Sequence, residues 1–267
     1  MKKFFLCAVA VAATMSLTSC LSEDEVNLEK GNMGSISVKI NADNSLTTRT
    51  AVEDATTWYT FIDGTTKDFG TADTYVGIGT LTNEVKFPFG SYTVNVSNYA
   101  NEAAAFAANS GWGDAYYNGS KALTVNAGID NPVTVECGKA KNAKLTVETS
   151  GFTGTATEGL YFTSIVTKQN DDSRELTFAG ATLNNNAFYP AKETVKYTVN
   201  WKFDGTEKTH SGTITLAGAG TANKISVASN SDGTISINKT TGITYDETWT
   251  EGNTETITIR ADNGEKL

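Results

Sequence analysis

The stretch "TVKYTVNWKF", residues 194–203, alternates without a break between apolar and polar side chains. Val195, Tyr197, Val199, Trp201 and Phe203 fall on one side of an extended chain, and Thr194, Lys196, Thr198, Asn200 and Lys202 on the other. Successive strand side chains point to opposite faces, so this reads as a strand with one face on a core and the other in water. Shorter copies recur at Ile36/Val38/Ile40, Tyr92/Val94/Val96, Leu123/Val125 and Leu145/Val147, and again at Ile214/Leu216, Ile225/Val227, Ile235/Ile237 and Ile257/Ile259. Turn signals such as "IDGT", "FDGT", "SDGT" and "NNN" separate them. The 24 glycines, 3 prolines and abundant threonines fit strands joined by tight turns. Only "NEAAAFAA" (101–108) reads as helix, ended by "NSGWGD". Doubly wound α/β folds need a crossover helix between parallel strands, so they are excluded. The expected fold is all-β: two antiparallel β-sandwich domains in tandem, Ig- or transthyretin-like, over residues 34–139 and 140–267. The break is placed at "CGKAKNAK", where one run of strands ends at Cys137 and the next begins at Asn142. One large sandwich is the alternative.

The N-terminus carries a different signal. Lys2 and Lys3 precede an apolar run from Phe4 to Ala13, which is too short for a membrane-spanning helix but suits a signal peptide core. Leu17-Thr18-Ser19-Cys20 resembles a bacterial lipobox. Residues 1–19 are therefore expected to be a lipoprotein signal peptide and Cys20 the lipidated residue. Each buried methylene contributes about 0.8 kcal/mol, so two or more acyl chains anchor stably where one holds marginally. Residues 20–33 are polar, acidic and aperiodic, the composition of a flexible tether.

Of the three cysteines, Cys7 leaves with the signal and Cys20 carries lipid, which leaves Cys137 without an intrachain disulfide partner. Cys137 shares strand phase with Val133 and Val135 and is expected to face a core. The formal charge is −9, and loss of Lys2 and Lys3 makes it more negative. Such a chain repels nucleic acid, and no nucleic-acid partner is expected.

"FPFGSYTVNVSNYANEAAAF" (87–106) and "GWGDAYYNGSKALTVNAGIDNPVTVECGKAKNAKLTVETS" (111–150) together resemble a family of Bacteroidetes surface lipoproteins, the domain of unknown function numbered four-four-nine-three. The shared features are an apolar-Pro-x-Gly-x-Tyr-x-Val strand, a Tyr-Tyr-x-Gly-Ser link, a Thr-Val-x-Ala-Gly turn and a Val-x-Val-x-Cys strand, followed by an Asn-Ala-Lys-x-x-Val strand. They cover Phe87 to Thr149, with weaker similarity over residues 34–260. The resemblance implies a β-rich surface protein, distantly similar to fimbrial and adhesin-like lipoproteins, and brings no catalytic residues. It also gives a meaning to Ser22, Glu23, Asp24 and Glu25, which resemble the export signal that sends such lipoproteins to the outer face of the outer membrane. Thr-Arg at Arg49 resembles the processing site of fimbrillin-type proteins. Cleavage there would remove the strand holding Ile36, Val38 and Ile40 and open a groove for a donor strand.

Residues with catalytic potential are few. His210 is the single histidine, and its parity with Ile214 and Leu216 reads as a structural strand-end position. No HExxH, CxxC pair or Gly-x-Ser-x-Gly elbow occurs, so neither a metal nor another cofactor is expected. "AGAGTANK" (217–224) lacks the Gly-Lys-Ser/Thr spacing of a phosphate loop and reads as a hairpin or bulge. In "SGWGDAYYNGS", Trp112, Tyr116 and Tyr117 lie among polar residues outside any alternation. They are candidate ligand contacts, through ring faces that stack on sugars or on a protein partner, or else aromatic plugs at the end of a sandwich. The expected function is non-enzymatic: an outer-membrane, outward-facing lipoprotein with an adhesive or fimbria-like role, partnered by a protein subunit or a glycan. The alternatives are a glycan-binding accessory lipoprotein of a polysaccharide-uptake system and, less favoured, a surface glycan hydrolase.

Overall fold

A computed structural model describes residues 33–42, 58–64, 74–77, 86–246, 248–250 and 252–267. Within them the chain is all-β. The first half contains β1 (Met33–Ala42), β2 (Tyr59–Gly64), β3 (Thr74–Gly77), β4 (Lys86–Pro88), β5 (Gly90–Ser97), β6 (Asn118–Val125) and β7 (Asp130–Gly138). The second contains β8 (Asn142–Ser150), β9 (Leu160–Gln169), β10 (Glu175–Phe178), β11 (Ala187–Pro190) and β12 (Thr194–Phe203). It continues with β13 (Thr206–Thr215), β14 (Ala222–Ser229), β15 (Thr234–Asp246), β16 (Thr248–Thr250) and β17 (Asn253–Arg260). The expected helix is α1 (Glu102–Ala107), started by Asn101, whose side chain accepts from the Ala104 N–H at 2.9 Å.

Among the described residues four sheets form, ordered β4-β1-β7, β3-β2-β5-β6, β10-β9-β12-β13 and β11-β8-β14-β15, with β16 and β17 both pairing β15. The buried apolar side chains gather into two clusters. One lies chiefly between the first two sheets and includes Ile36, Trp58, Val94, Val96 and Val135; the other lies between the last two and includes Leu145, Ile165, Val199, Ile225 and Ile237. Strand β12 behaves as its alternation requires. Val195, Tyr197, Val199 and Trp201 are all at most 1% exposed, and each such burial stabilises by about 1.5–3 kcal/mol. The Trp201 indole N–H, which could not be left unpaired at that depth, donates to the Ala261 carbonyl at 2.7 Å.

Turn chemistry decides several connections. In "FDGT" Asp204 and Gly205 take φ of 48° and 76°, and Phe203 pairs with Thr206, so β12 and β13 join through a two-residue hairpin. The same Asp-Gly pair in "IDGT" makes no turn: Asp63 and Gly64 finish β2, paired with Thr93 and Tyr92. "AGAGTANK" is also not a hairpin. It carries the chain from β13 in one sheet to β14 in the opposite one, and a register irregularity lies between Ala222 and Lys224.

Two of the four sheets are mixed, and the β3-β2-β5-β6 and β10-β9-β12-β13 sheets are antiparallel throughout. β1 runs parallel to β7, and β8 runs parallel to β14. A two-residue alternation is the same in either direction, so the sequence pattern could not distinguish them. Each parallel pair is stitched by a buried asparagine. Asn131 of β7 donates to the Ser35 carbonyl of β1 at 3.0 Å and accepts from the Asn126 N–H at 2.9 Å. Asn223 of β14 donates to the Lys144 carbonyl of β8 at 3.1 Å and accepts from the Ala217 N–H at 3.0 Å. These amides satisfy main-chain groups at strand ends that the ladder leaves open.

Candidate functional site

The segment from α1 to β6 joins the two cores. Trp112 is half-buried and packs edge-on against Phe178 of the second core, with ring centroids 4.7 Å apart. Tyr117 is 2% exposed in the first core, 6.3 Å from the Trp58 ring. Traffic also runs the other way. Phe188 of β11 and Ala222 of β14, both beyond residue 140, belong to the first cluster. The Trp112 carbonyl accepts from the Phe188 N–H at 2.9 Å, which locks the crossing side chains together.

Four polar residues hold this strap. Asn142 is fully buried; its amide donates to the Asp114 carbonyl at 2.7 Å and its oxygen accepts from the Tyr116 N–H at 3.1 Å. Asn98 does the same from the other side, donating to the Ala115 carbonyl at 2.7 Å and accepting from the Tyr117 N–H at 2.8 Å. Arg174, just before β10, donates through Nε to the Gly111 carbonyl at 2.9 Å and through its other nitrogens to the Gly111 and Phe188 carbonyls. Its guanidinium lies over Tyr189, 4.9 Å from the ring centroid, and its burial lowers its pKa. Tyr99 donates to the Asp114 carboxylate at 2.8 Å, and burial together with that hydrogen bond and charge pushes its pKa up to about 12. None of Asn98, Tyr99, Asn142 or Arg174 stands out in the sequence, because their partners are main-chain groups and an acid brought close only by folding.

The three aromatic candidates therefore part company. Tyr117 fills the first core, Trp112 packs on the second, and Tyr116 lines an open cleft. The Tyr116 main chain is pinned on both sides, by Asn142 at its N–H and by the Lys141 N–H at its carbonyl (2.7 Å). Its cleft has a volume of about 510 Å³ and lies on the outer face of the β2-β5-β6 sheet, with Phe61, Asn95, Asn118, Glu136 and Lys141 among its walls. A second cleft of about 450 Å³ is lined by the accessible part of Trp112 with Asn109, Asp114, Asn185 and Asn186.

Cys137 is 2% exposed in the first core, and burial pushes its thiol up to about 11, the reverse of an activated nucleophile. His210 sits mid-strand in β13 opposite Val199 rather than at a strand end. Among the described residues no group of three His, Cys, Asp or Glu could hold a metal ion, and no helix is long and apolar enough to cross a membrane. Cys20, the Ser22, Glu23, Asp24 and Glu25 group and Arg49 lie outside the described residues. The strand that cleavage at Arg49 would release is the middle strand of its sheet, between β4 and β7, with Ile36 2% exposed.

No curated protein matches this sequence. Among solved structures, a candidate cell adhesion protein from Bacteroides eggerthii aligns at 10% identity and TM-score 0.42, covering 75% of this chain and 86% of that one. A fimbrial assembly protein from Parabacteroides distasonis aligns at 12% identity and TM-score 0.40, covering 86% and 97%. A candidate cell adhesion protein from Bacteroides ovatus aligns at 13% identity and TM-score 0.34, covering 83% and 96%. The family model described as a domain of unknown function, DUF4493, matches residues 29–261. Over nearly its whole length, then, the chain belongs to the DUF4493 family.

Proposed function

We propose that this chain is a non-enzymatic, outward-facing lipoprotein of the outer membrane with an adhesive or fimbria-like structural role. In this reading residues 1–19 are the signal peptide, Cys20 is lipidated, Ser22, Glu23, Asp24 and Glu25 direct export, and 20–33 form the tether. Residues 34–139 and 140–267 are the two sandwich domains. The observation that supports it best is the direction of β1 and β7. The tether enters β1 at its N-terminal end, and the second half continues from the C-terminal end of β7. The two strands are parallel and in one register from Ser35 opposite Asp130 to Asn41 opposite Glu136, with a shift only at Ala42. Tension between the anchor and the second half then slides one strand along the other, so the evenly spaced ladder bonds bear the load together instead of opening one by one. β8 and β14 form a second parallel pair, after which the chain runs on through β15, β16 and β17. A protein that holds a cell in place is limited by its forced-unfolding rate, and this geometry slows it.

The test is retention of intact cells under shear flow on a host-derived surface, comparing the native chain with Cys20→Ala and with cells lacking the chain. Retention by the native chain alone is expected; equal retention by all three overturns the reading. The fimbria-like version does not draw on the β1–β7 pair, because cleavage at Arg49 removes β1; in it the intact N-terminus is lost on whole cells and detergent-resistant oligomer ladders appear. A second reading, a glycan-binding accessory lipoprotein, is favoured by one observation: the polar cleft beside Tyr116, whose lining includes two aromatic residues, Phe61 and Tyr116.

A further inference from the structure

We infer that the cleft beside Tyr116 is a binding site for a short segment of neutral oligosaccharide, with Phe61 and Tyr116 as stacking rings and Asn95 and Asn118 as the groups that read hydroxyls. The proposal deepens the second reading above and rests on it only for the source of the glycan.

The sheet register builds the site. Phe61 of β2, Asn95 of β5 and Ser120 of β6 are direct cross-strand neighbours, and one pair further on stand Tyr59, Ser97 and Asn118. The alternate positions Val94 and Val96 are fully buried or nearly so, which turns this set outward. Adjacent strands are about 4.8 Å apart and same-face neighbours along a strand about 7 Å apart, so the six residues tile a patch of about 10 by 7 Å. That is comparable to the footprint of a disaccharide. Tyr116 rises at its border on a main chain fixed by Asn142, and Asn118 reaches the Tyr116 hydroxyl at 3.4 Å. The rings come from separate elements, Phe61 from β2 and Tyr116 from the segment that leads into β6. The volume of about 510 Å³ falls in the range of small-molecule sites, about 300–1,000 Å³.

The chemistry narrows the ligand. Sugars present C–H faces to aromatic rings and hydroxyls that both donate and accept, and carboxamides and hydroxyls match both demands. Glu136 and Lys141 face the same cleft with opposite signs, so the walls offer no net positive field for a sulfated or uronic polymer. The formal charge of −9 acts against such polymers as well. An added protein strand would need a free sheet edge, whereas this cleft lies on a sheet face spanned by β2, β5 and β6.

Native gel electrophoresis of the full chain through gels containing laminarin, mannan or xyloglucan tests the proposal, with heparin and polygalacturonate as anionic comparisons. Retardation by at least one neutral polymer is expected. Tyr116→Ala and the double variant Phe61→Ala/Asn95→Ala should each weaken it at least ten-fold, with thermal melting showing that both variants remain folded. The proposal is overturned by the absence of retardation in all three neutral gels, by retardation that neither folded variant weakens, or by stronger retardation in heparin. Cell retention under flow with no shift in any neutral gel overturns the cleft and leaves the adhesive reading intact. A shift abolished by Tyr116→Ala, without cell retention, supports the cleft and removes the adhesive reading.

Discussion

Asn142→Ala is the sharpest test of how the two halves are joined. The side chain is fully buried and makes two hydrogen bonds to the strap, to the Asp114 carbonyl at 2.7 Å and from the Tyr116 N–H at 3.1 Å. Truncation leaves a carbonyl and an amide N–H without partners, at about 1–3 kcal/mol each where water is excluded. Both bonds are only partly buried at the strap end, so water recovers some of this, and the expected loss is about 2–4 kcal/mol. Against the usual total of about 5–15 kcal/mol this is a large fraction. Urea unfolding followed by tryptophan fluorescence is the assay, because Trp58 reports the first core and Trp112 and Trp201 the second. Both cores are expected to lose stability together, since each holds side chains from the other half. Asn142→Asp sharpens the test: its carboxylate still accepts from Tyr116 but cannot donate to Asp114, whereas the protonated acid does both. Its deficit relative to the native chain should therefore shrink at acidic pH. A loss below about 0.5 kcal/mol for Asn142→Ala, or the same loss for the exposed Asn184→Ala, would refute the reasoning.

Other outcomes follow from single contacts. A Cβ at Gly212 would lie 2.5 Å from the Tyr197 hydroxyl, so Gly212→Ala should cost about 1–3 kcal/mol, partly recovered by adding Tyr197→Phe in a thermal-melt double-mutant cycle. Tyr197→Phe alone should be neutral or stabilising, because that buried hydroxyl has no hydrogen-bond partner among the described residues. Cys137, in a Cys7→Ala/Cys20→Ala background, should resist Ellman's reagent at pH 8 until urea unfolds the chain, and rapid native labelling would contradict its burial. Tyr99 and Tyr197 have pKa values pushed up to about 12 by burial and then by Asp114 and Glu255 respectively. The unfolded chain ionises them near 10, so their contribution to stability is whole below about pH 10 and is lost as pH rises toward about 12. Ultraviolet titration of the native chain beside Tyr99→Phe and Tyr197→Phe, with alkaline melting, checks this; if either substitution removes absorbance change near pH 10 and none near 12, the reasoning fails.

How far the sequence could be read depended on whether the signal was local. Alternation at Val195, Tyr197, Val199 and Trp201 is a property of the strand itself, so strands, their buried faces and the all-β class were all legible. So was the helix start at Asn101, whose cap lies within three residues. "FDGT" and "IDGT" mark the limit of local reading: the same dipeptide turns the chain at Asp204 and continues a strand at Asp63, because in the second case β5 is there to pair with it. "SGWGDAYYNGS" could be read as aromatic and aperiodic, but not as divided among two cores and a cleft. Residue type and spacing determine how much apolar surface must be hidden and in which local conformation. Strand direction, the partners of Asn142 and Arg174, and the exposure of Tyr116 beside a buried Tyr117 depend on which surfaces meet after sheets far apart in sequence have docked. Those contacts exist only in the folded chain, and they decide where it can hold a ligand.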